Sequence, residues 1–90
     1  MTTIWKYTLK TTDAQTISMP ANARILSLQT QFGIPCLWVM VDPAAAPEPR
    51  QFFTYGTGHK IIEPISNLQF VGSYQLDGGA LVFHVFETAS

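Results

Sequence analysis

The sequence predicts an all-β domain, a small antiparallel sandwich or barrel of about seven short strands with little or no helix. Three observations point there. Apolar and polar residues alternate with period two, as in Trp5-Lys6-Tyr7-Thr8-Leu9-Lys10, which is the spacing of a half-buried strand. Turn-forming residues punctuate the chain every ~8–12 residues. No window carries a sustained apolar stripe at helical spacing.

The elements follow in order. In the first strand Trp5, Tyr7 and Leu9 face inward and Lys6, Thr8 and Lys10 face water. Thr11-Thr12-Asp13 turns the chain. Gln15 to Met19 is a second strand with Ile17 and Met19 inward, and Pro20-Ala21-Asn22 ends it because proline cannot donate to a ladder. Arg24 to Phe32 is a third strand with Leu26, Leu28, Thr30 and Phe32 on one face. A helix through Ile25, Leu28 and Phe32 is rejected, since Leu26 falls off that stripe and Gly33 arrives too soon. Gln31-Phe32-Gly33-Ile34 is a tight hairpin turn. Cys36 to Val41 is apolar on both faces, which predicts a central strand covered twice, by a second sheet or another subunit.

Pro43, Pro47 and Pro49 forbid a helix or a paired strand between Asp42 and Pro49, so that segment reads as an exposed, stiff loop. The aromatic strand Arg50 to Tyr55 follows. Ile61 to Asn67, interrupted by Pro64, is an irregular connection with at most one short turn. Leu68 to Leu76 is a strand with Leu68, Phe70, Tyr74 and Leu76 inward. Asp77-Gly78-Gly79 is a hairpin turn, and Ala80 to Phe86 is the return strand, again apolar on both faces.

Ninety residues make a single domain spanning 1–90. A chain of this size buries only ~60–65% of its unfolded surface and benefits from a disulfide, a metal or a partner subunit. The single cysteine excludes an internal disulfide, and no Cys/His cluster suggests a structural metal. The chain is 47% hydrophobic and 12% charged, against roughly 25% charged in an ordinary soluble domain. A homo-oligomer is therefore expected. A net charge of −1 leaves no footprint for nucleic acid. No apolar run reaches membrane-spanning length, so no membrane partner is expected. The N-terminus lacks a basic region followed by an apolar one, and the lone free cysteine suits a reducing compartment; both point to the cytoplasm.

The most chemically suggestive stretch is Phe52-Phe53-Thr54-Tyr55-Gly56-Thr57-Gly58-His59-Lys60. Its glycines match neither the dinucleotide fingerprint nor the P-loop. They do let backbone amides approach a ligand and form an anion nest. Thr57 adds a hydroxyl, His59 and Lys60 add positive charge, and Tyr55 offers a stacking face. Arg50, Tyr55, Thr57, Gly58, His59 and Lys60 are accordingly the candidate residues around a nucleotide-like anion. The competing reading is a plain β-turn with a solvated Lys60.

His84 shares a face with Val82 and Phe86 and reads as a satisfied core or interface residue. His59 and His84 with Glu63 or Glu87 lack the short spacing of metal ligands. Cys36 reads as a buried, inert thiol. No nucleophile, base and carboxylate stand in a catalytic order, so the sequence assigns no catalytic residue, no metal and no cofactor, and an enzyme is not expected. Trp5, Trp38, Phe52, Phe53, Phe70, Tyr74, Phe83 and Phe86 are mostly core, with the surplus building an interface.

Pro35-Cys36-Leu37-Trp38, Tyr55-Gly56-Thr57-Gly58-His59 and Gly79-Ala80-Leu81-Val82-Phe83-His84 together resemble a family of small proteins encoded by bacteriophages and prophages. The similarity runs from Trp5 to Glu87. That family has no known chemistry, so no functional residue carries over from it. The resemblance implies a phage or mobile-element protein acting inside a bacterial host cell, where proteins of this size are often inhibitors of host defence. Two functions are compatible with these readings. One is a non-enzymatic binding protein acting on a host protein complex. The other is an oligomeric sponge for a nucleotide-type signalling molecule of antiviral defence.

Overall fold

The fold was analysed in a computed structural model that describes residues 1–89. Seven strands form in chain order: β1 (Thr3–Thr8), β2 (Ala14–Pro20), β3 (Arg24–Gln31), β4 (Ile34–Val41), β5 (Pro47–Gly56), β6 (Leu68–Leu76) and β7 (Leu81–Thr88). The only helical pieces among the described residues are single 3-10 turns at Ile65–Asn67 and Asp77–Gly79. The all-β expectation holds. The strands make two antiparallel sheets, one ordered β1-β4-β3 and one ordered β2-β5-β7-β6. The Cα envelope measures 40 × 32 × 16 Å, and its thin dimension suits two sheets stacked about 10 Å apart.

The core lies between the sheets. Leu37, Val39 and Val41 of β4 meet Phe52, Tyr74 and Val85 of the second sheet, with Leu9 and Met19 closing the sides. Burying a side chain such as Leu37 or Phe52 contributes about 1.5–3 kcal/mol. Tyr74 is buried, and its hydroxyl is satisfied by Thr11 Oγ1 at 2.9 Å. Cys36 is buried as expected. β4 is the middle strand of its sheet, but Trp38 and Met40 on its outer side are only half-buried. Trp5, expected inside, is 41% exposed on edge strand β1.

Two strands follow their predicted alternation over only part of their length. On β3 the register shifts between Ile25 and Ser27, which makes Leu26 a bulge. Ile25 and Leu28 pack on the core, whereas Leu26 and Phe32 lie exposed. On β6 the register shifts between Phe70 and Gly72. Val71 therefore turns inward with Tyr74 and Leu76, and Phe70 turns out to 58% exposure. The bulges lie where β3 and β6 approach each other: a Cβ on Gly72 would stand 3.2 Å from the Cβ of Leu28. One inserted residue shifts the period of two, so the inward assignments of Leu28, Tyr74 and Leu76 beyond the bulges hold, whereas those of Leu26 and Phe70 are inverted.

The segment around Pro47 and Pro49 is also corrected. These prolines do not sit in a loop but in β5, opposite Pro20 and Ser18 of β2. Ala21 donates its N–H to Ala46 O at 2.8 Å and Thr54 donates to Asp13 O at 3.1 Å, so even-numbered residues of β5 address β2 and odd-numbered ones face away. β7 joins the other side of β5 only from Phe52 onward. Pro47 and Pro49 thus occupy the one register in which a missing N–H breaks no ladder bond.

Candidate functional site

The glycine stretch caps the β5 end of the second sheet. Gly56 to His59 is one β-turn, in which His59 donates its N–H to Gly56 O at 3.0 Å. Gly58 has φ +85°, the left-handed value that a type II turn demands of its third residue. Thr57 donates its N–H to Val82 O at 3.1 Å and so fastens the turn to β7. Two of the amides expected in an anion nest are thereby committed within the chain. The His59 ring folds back over Gly56: a Cβ there would stand 2.9 Å from its Cε1 and Nδ1.

Strand register builds the outer face of the second sheet around His84. Tyr55 of β5 and Ser73 of β6 stand opposite it on either side. Thr57 Oγ1 lies 2.8 Å from His84 Nε2, and Ser73 Oγ lies 2.7 Å from Nδ1. In the neutral imidazole one nitrogen donates to one hydroxyl and the other accepts from the second. His84 is thus held at both nitrogens by hydroxyls of its own chain. Next to it runs an edge-to-face aromatic series: Tyr55 meets Phe86 at 6.0 Å and 67°, and Phe86 meets Phe70 at 5.4 Å and 61°.

A cleft of about 350 Å³ opens beside Tyr55. Ala14, Phe53, Tyr55 and Ile62 supply apolar walls, and Asp13, His59, Lys60 and Glu63 supply the polar ones. The candidate residues therefore divide. Tyr55, His59 and Lys60 come together in this cleft, Gly58 shapes the turn above it, and Thr57 points to His84. Arg50 lies elsewhere. It is five residues from Tyr55 along β5, about 17 Å of strand, and on the opposite face. Its Nε and Nη2 donate to the two Glu87 carboxylate oxygens at 2.5 and 2.8 Å, and Nη1 donates to Ala23 O at 2.6 Å. This bidentate pair raises the Arg50 pKa above its ordinary value, chiefly through the hydrogen bonds to Glu87. Arg50 is a pin between β5, β7 and the start of β3.

Among the described residues, no group of three or more His, Cys, Asp and Glu could hold a metal ion, and no helix is long and apolar enough to cross a membrane.

Residues 1–90 match a family described as a domain of unknown function, DUF7352. The chain belongs to that family. No curated protein and no solved structure matches it.

In this DUF7352 domain, sequence reasoning missed the two carboxylates of the cleft, Asp13 and Glu63, and the outward aromatics Phe70 and Phe86. One signal was available. A hairpin closing at Asp77–Gly79 places Ser73 opposite His84 by counting alone. The Thr57–His84 contact carries no such signal, because it depends on β5 pairing with β7 across a long connection.

Proposed function

We propose that this DUF7352 domain is a non-enzymatic binding protein that docks on a protein partner through the outer face of its four-stranded sheet. The reading is carried by the Tyr55–Phe86–Phe70 series, which ends on a side chain 58% exposed. Leaving a phenyl ring largely in water forgoes part of about 1.5–3 kcal/mol. Protein interfaces are where aromatic side chains recover it. One further observation supports binding over catalysis: His84 spends both ring nitrogens on hydroxyls of its own sheet. The resemblance of Pro35–Trp38, Tyr55–His59 and Gly79–His84 to phage and prophage proteins supports the finer reading. In that reading the protein is phage- or prophage-encoded and acts in the cytoplasm of a bacterial host, where it blocks a host complex as a counter-defence factor.

One observation favours a second reading, a sponge for a nucleotide-type signal: Tyr55, His59 and Lys60 share one cleft. Asp13 and Glu63 line the same cleft and offset its positive charge, and Arg50 is engaged with Glu87. The protein-binding reading is preferred on that ground. Affinity purification from a bacterial lysate separates the two. The wild-type protein should retain a defined host protein that Phe70→Asp loses, while a nucleotide panel leaves the melting temperature unchanged. Equal retention by the Phe70→Asp protein, or a nucleotide-induced stabilisation, would sink the first reading.

A further inference from the structure

We infer that the protein forms a closed two-fold dimer in which the β3–β4 hairpin tip of each copy, headed by Phe32, fills the Tyr55–Ile62 cleft of the other. The knob is conspicuous. Phe32 is 96% exposed and sits at φ +52°, followed by Gly33 at φ +77°. Two consecutive left-handed residues make a type I′ turn, which asparagine, aspartate and glycine fill with little strain. A phenylalanine there is strained in its backbone and bare in water. Neither cost is offset by a contact within the chain, and strain of this kind marks an interaction site. Ile34, 49% exposed, extends the apolar tip.

The receptacle is on the same molecule. The cleft has room for a phenyl ring at about 350 Å³, and Phe53, Tyr55 and Ile62 give it apolar walls. Ile62 is 80% exposed in the single chain. Charge agrees with this pairing. Lys6 Nζ donates to Gln31 Oε1 at 2.9 Å, which places a cation at the residue preceding Phe32, and Asp13 and Glu63 outnumber Lys60 at the cleft, leaving it one formal negative charge.

Position agrees as well. Leu9 donates its N–H to Pro35 O at 2.9 Å, so the hairpin lies against the end of β1. Asp13, which lines the cleft, follows Leu9 by four residues, at most ~14 Å of chain. Knob and cleft share one end of the sandwich, so two copies can exchange tips reciprocally, and the same patch serves on both. Phe70 lies on the opposite side of Phe86 from Tyr55 and is not required for this contact.

Native mass spectrometry and size-exclusion chromatography with light scattering, run on the full chain over a dilution series, test the inference. The wild-type protein should be a dimer. Phe32→Gly should be a monomer with an unchanged or higher melting temperature, because glycine relieves the left-handed strain and keeps the fold. Ile62→Glu, at an exposed position, should also be monomeric. Lys6→Glu should weaken dimerisation by about tenfold or more, and adding Asp13→Lys and Glu63→Lys to it should restore the dimer. A monomeric wild-type protein overturns the inference. So does an assembly larger than two, or a dimer that survives either Phe32→Gly or Ile62→Glu.

Discussion

The imidazole of His59 occupies the space beside Gly56 where any other residue would carry its Cβ, with Cε1 and Nδ1 both 2.9 Å from that point. The first glycine of the stretch is therefore there for a neighbour, since its own φ is not in the left-handed region. Gly58 alone carries the positive φ of the turn.

Gly56→Ala should displace the His59 ring. The ring belongs to an exposed side chain that can swing away, so the loss of stability should stay near about 1 kcal/mol, the low end for overpacking. Thermal denaturation of a double-mutant cycle checks this. In a His59→Ala background, Gly56→Ala should be close to neutral. An equal cost in both backgrounds would locate the strain in the backbone.

The Arg50–Glu87 pair is largely shielded, with side chains 22% and 14% exposed. Glu87→Gln should cost about 2 kcal/mol, less than the roughly 3–5 kcal/mol of a fully buried pair. The pair should also be indifferent to alkali. A folded-state pKa raised above the unfolded one gives stability that is complete below the unfolded value and fades only as pH passes the folded value. For an arginine that window lies beyond about pH 12. The destabilisation measured for Arg50→Met should thus be the same at neutral pH and at about pH 10. Tyr7 provides the contrast. Burial raises its phenol pKa, so the stability linked to its neutral form is full below about pH 10 and is lost as pH rises through the higher folded value. Tyr7→Phe should remove that alkaline loss, and denaturant melts across the range would reveal it.

Thr54 is 6% exposed, and its Oγ1 has no hydrogen-bond partner among the described residues. A buried hydroxyl left unpaired costs about 1–3 kcal/mol. Thr54→Val keeps the shape and removes the hydroxyl. It should raise stability by about 1 kcal/mol, or roughly 4–8 °C in melting temperature for a domain of this size. A lower melting temperature would reveal a partner for that oxygen, such as a bound water.

Much of the fold was legible in the sequence because period-two alternation and turn residues are local. Gly33 and Asp77 to Gly79 reverse the chain where their residue types favour it, and Gly33 carries the turn even though Phe32 beside it does not suit a left-handed backbone. The errors share one cause. Whether Leu26 or Phe70 faces in depends on a bulge whose reason lies in the other sheet, where β3 and β6 crowd at Gly72 and Leu28. Whether prolines can sit in a strand depends on which neighbour is present, and β7 is absent beside Pro47 and Pro49. The candidate site divided for the same reason. Tyr55, His59 and Lys60 are near in sequence and stay together, but Arg50 follows the parity of its strand to the other face and meets Glu87.

The strand order also sets a timetable. Only β3–β4 and β6–β7 join neighbours along the chain through short turns; Trp5 must wait for Val39, and Gln15 for Phe52. Chains dominated by such distant pairings fold slowly, on the millisecond-to-second scale. During synthesis β1 and β2 emerge first but cannot pair until β4 and β5 follow, so Ile4, Trp5 and Ile17 stay uncovered until the middle of the chain has left the ribosome.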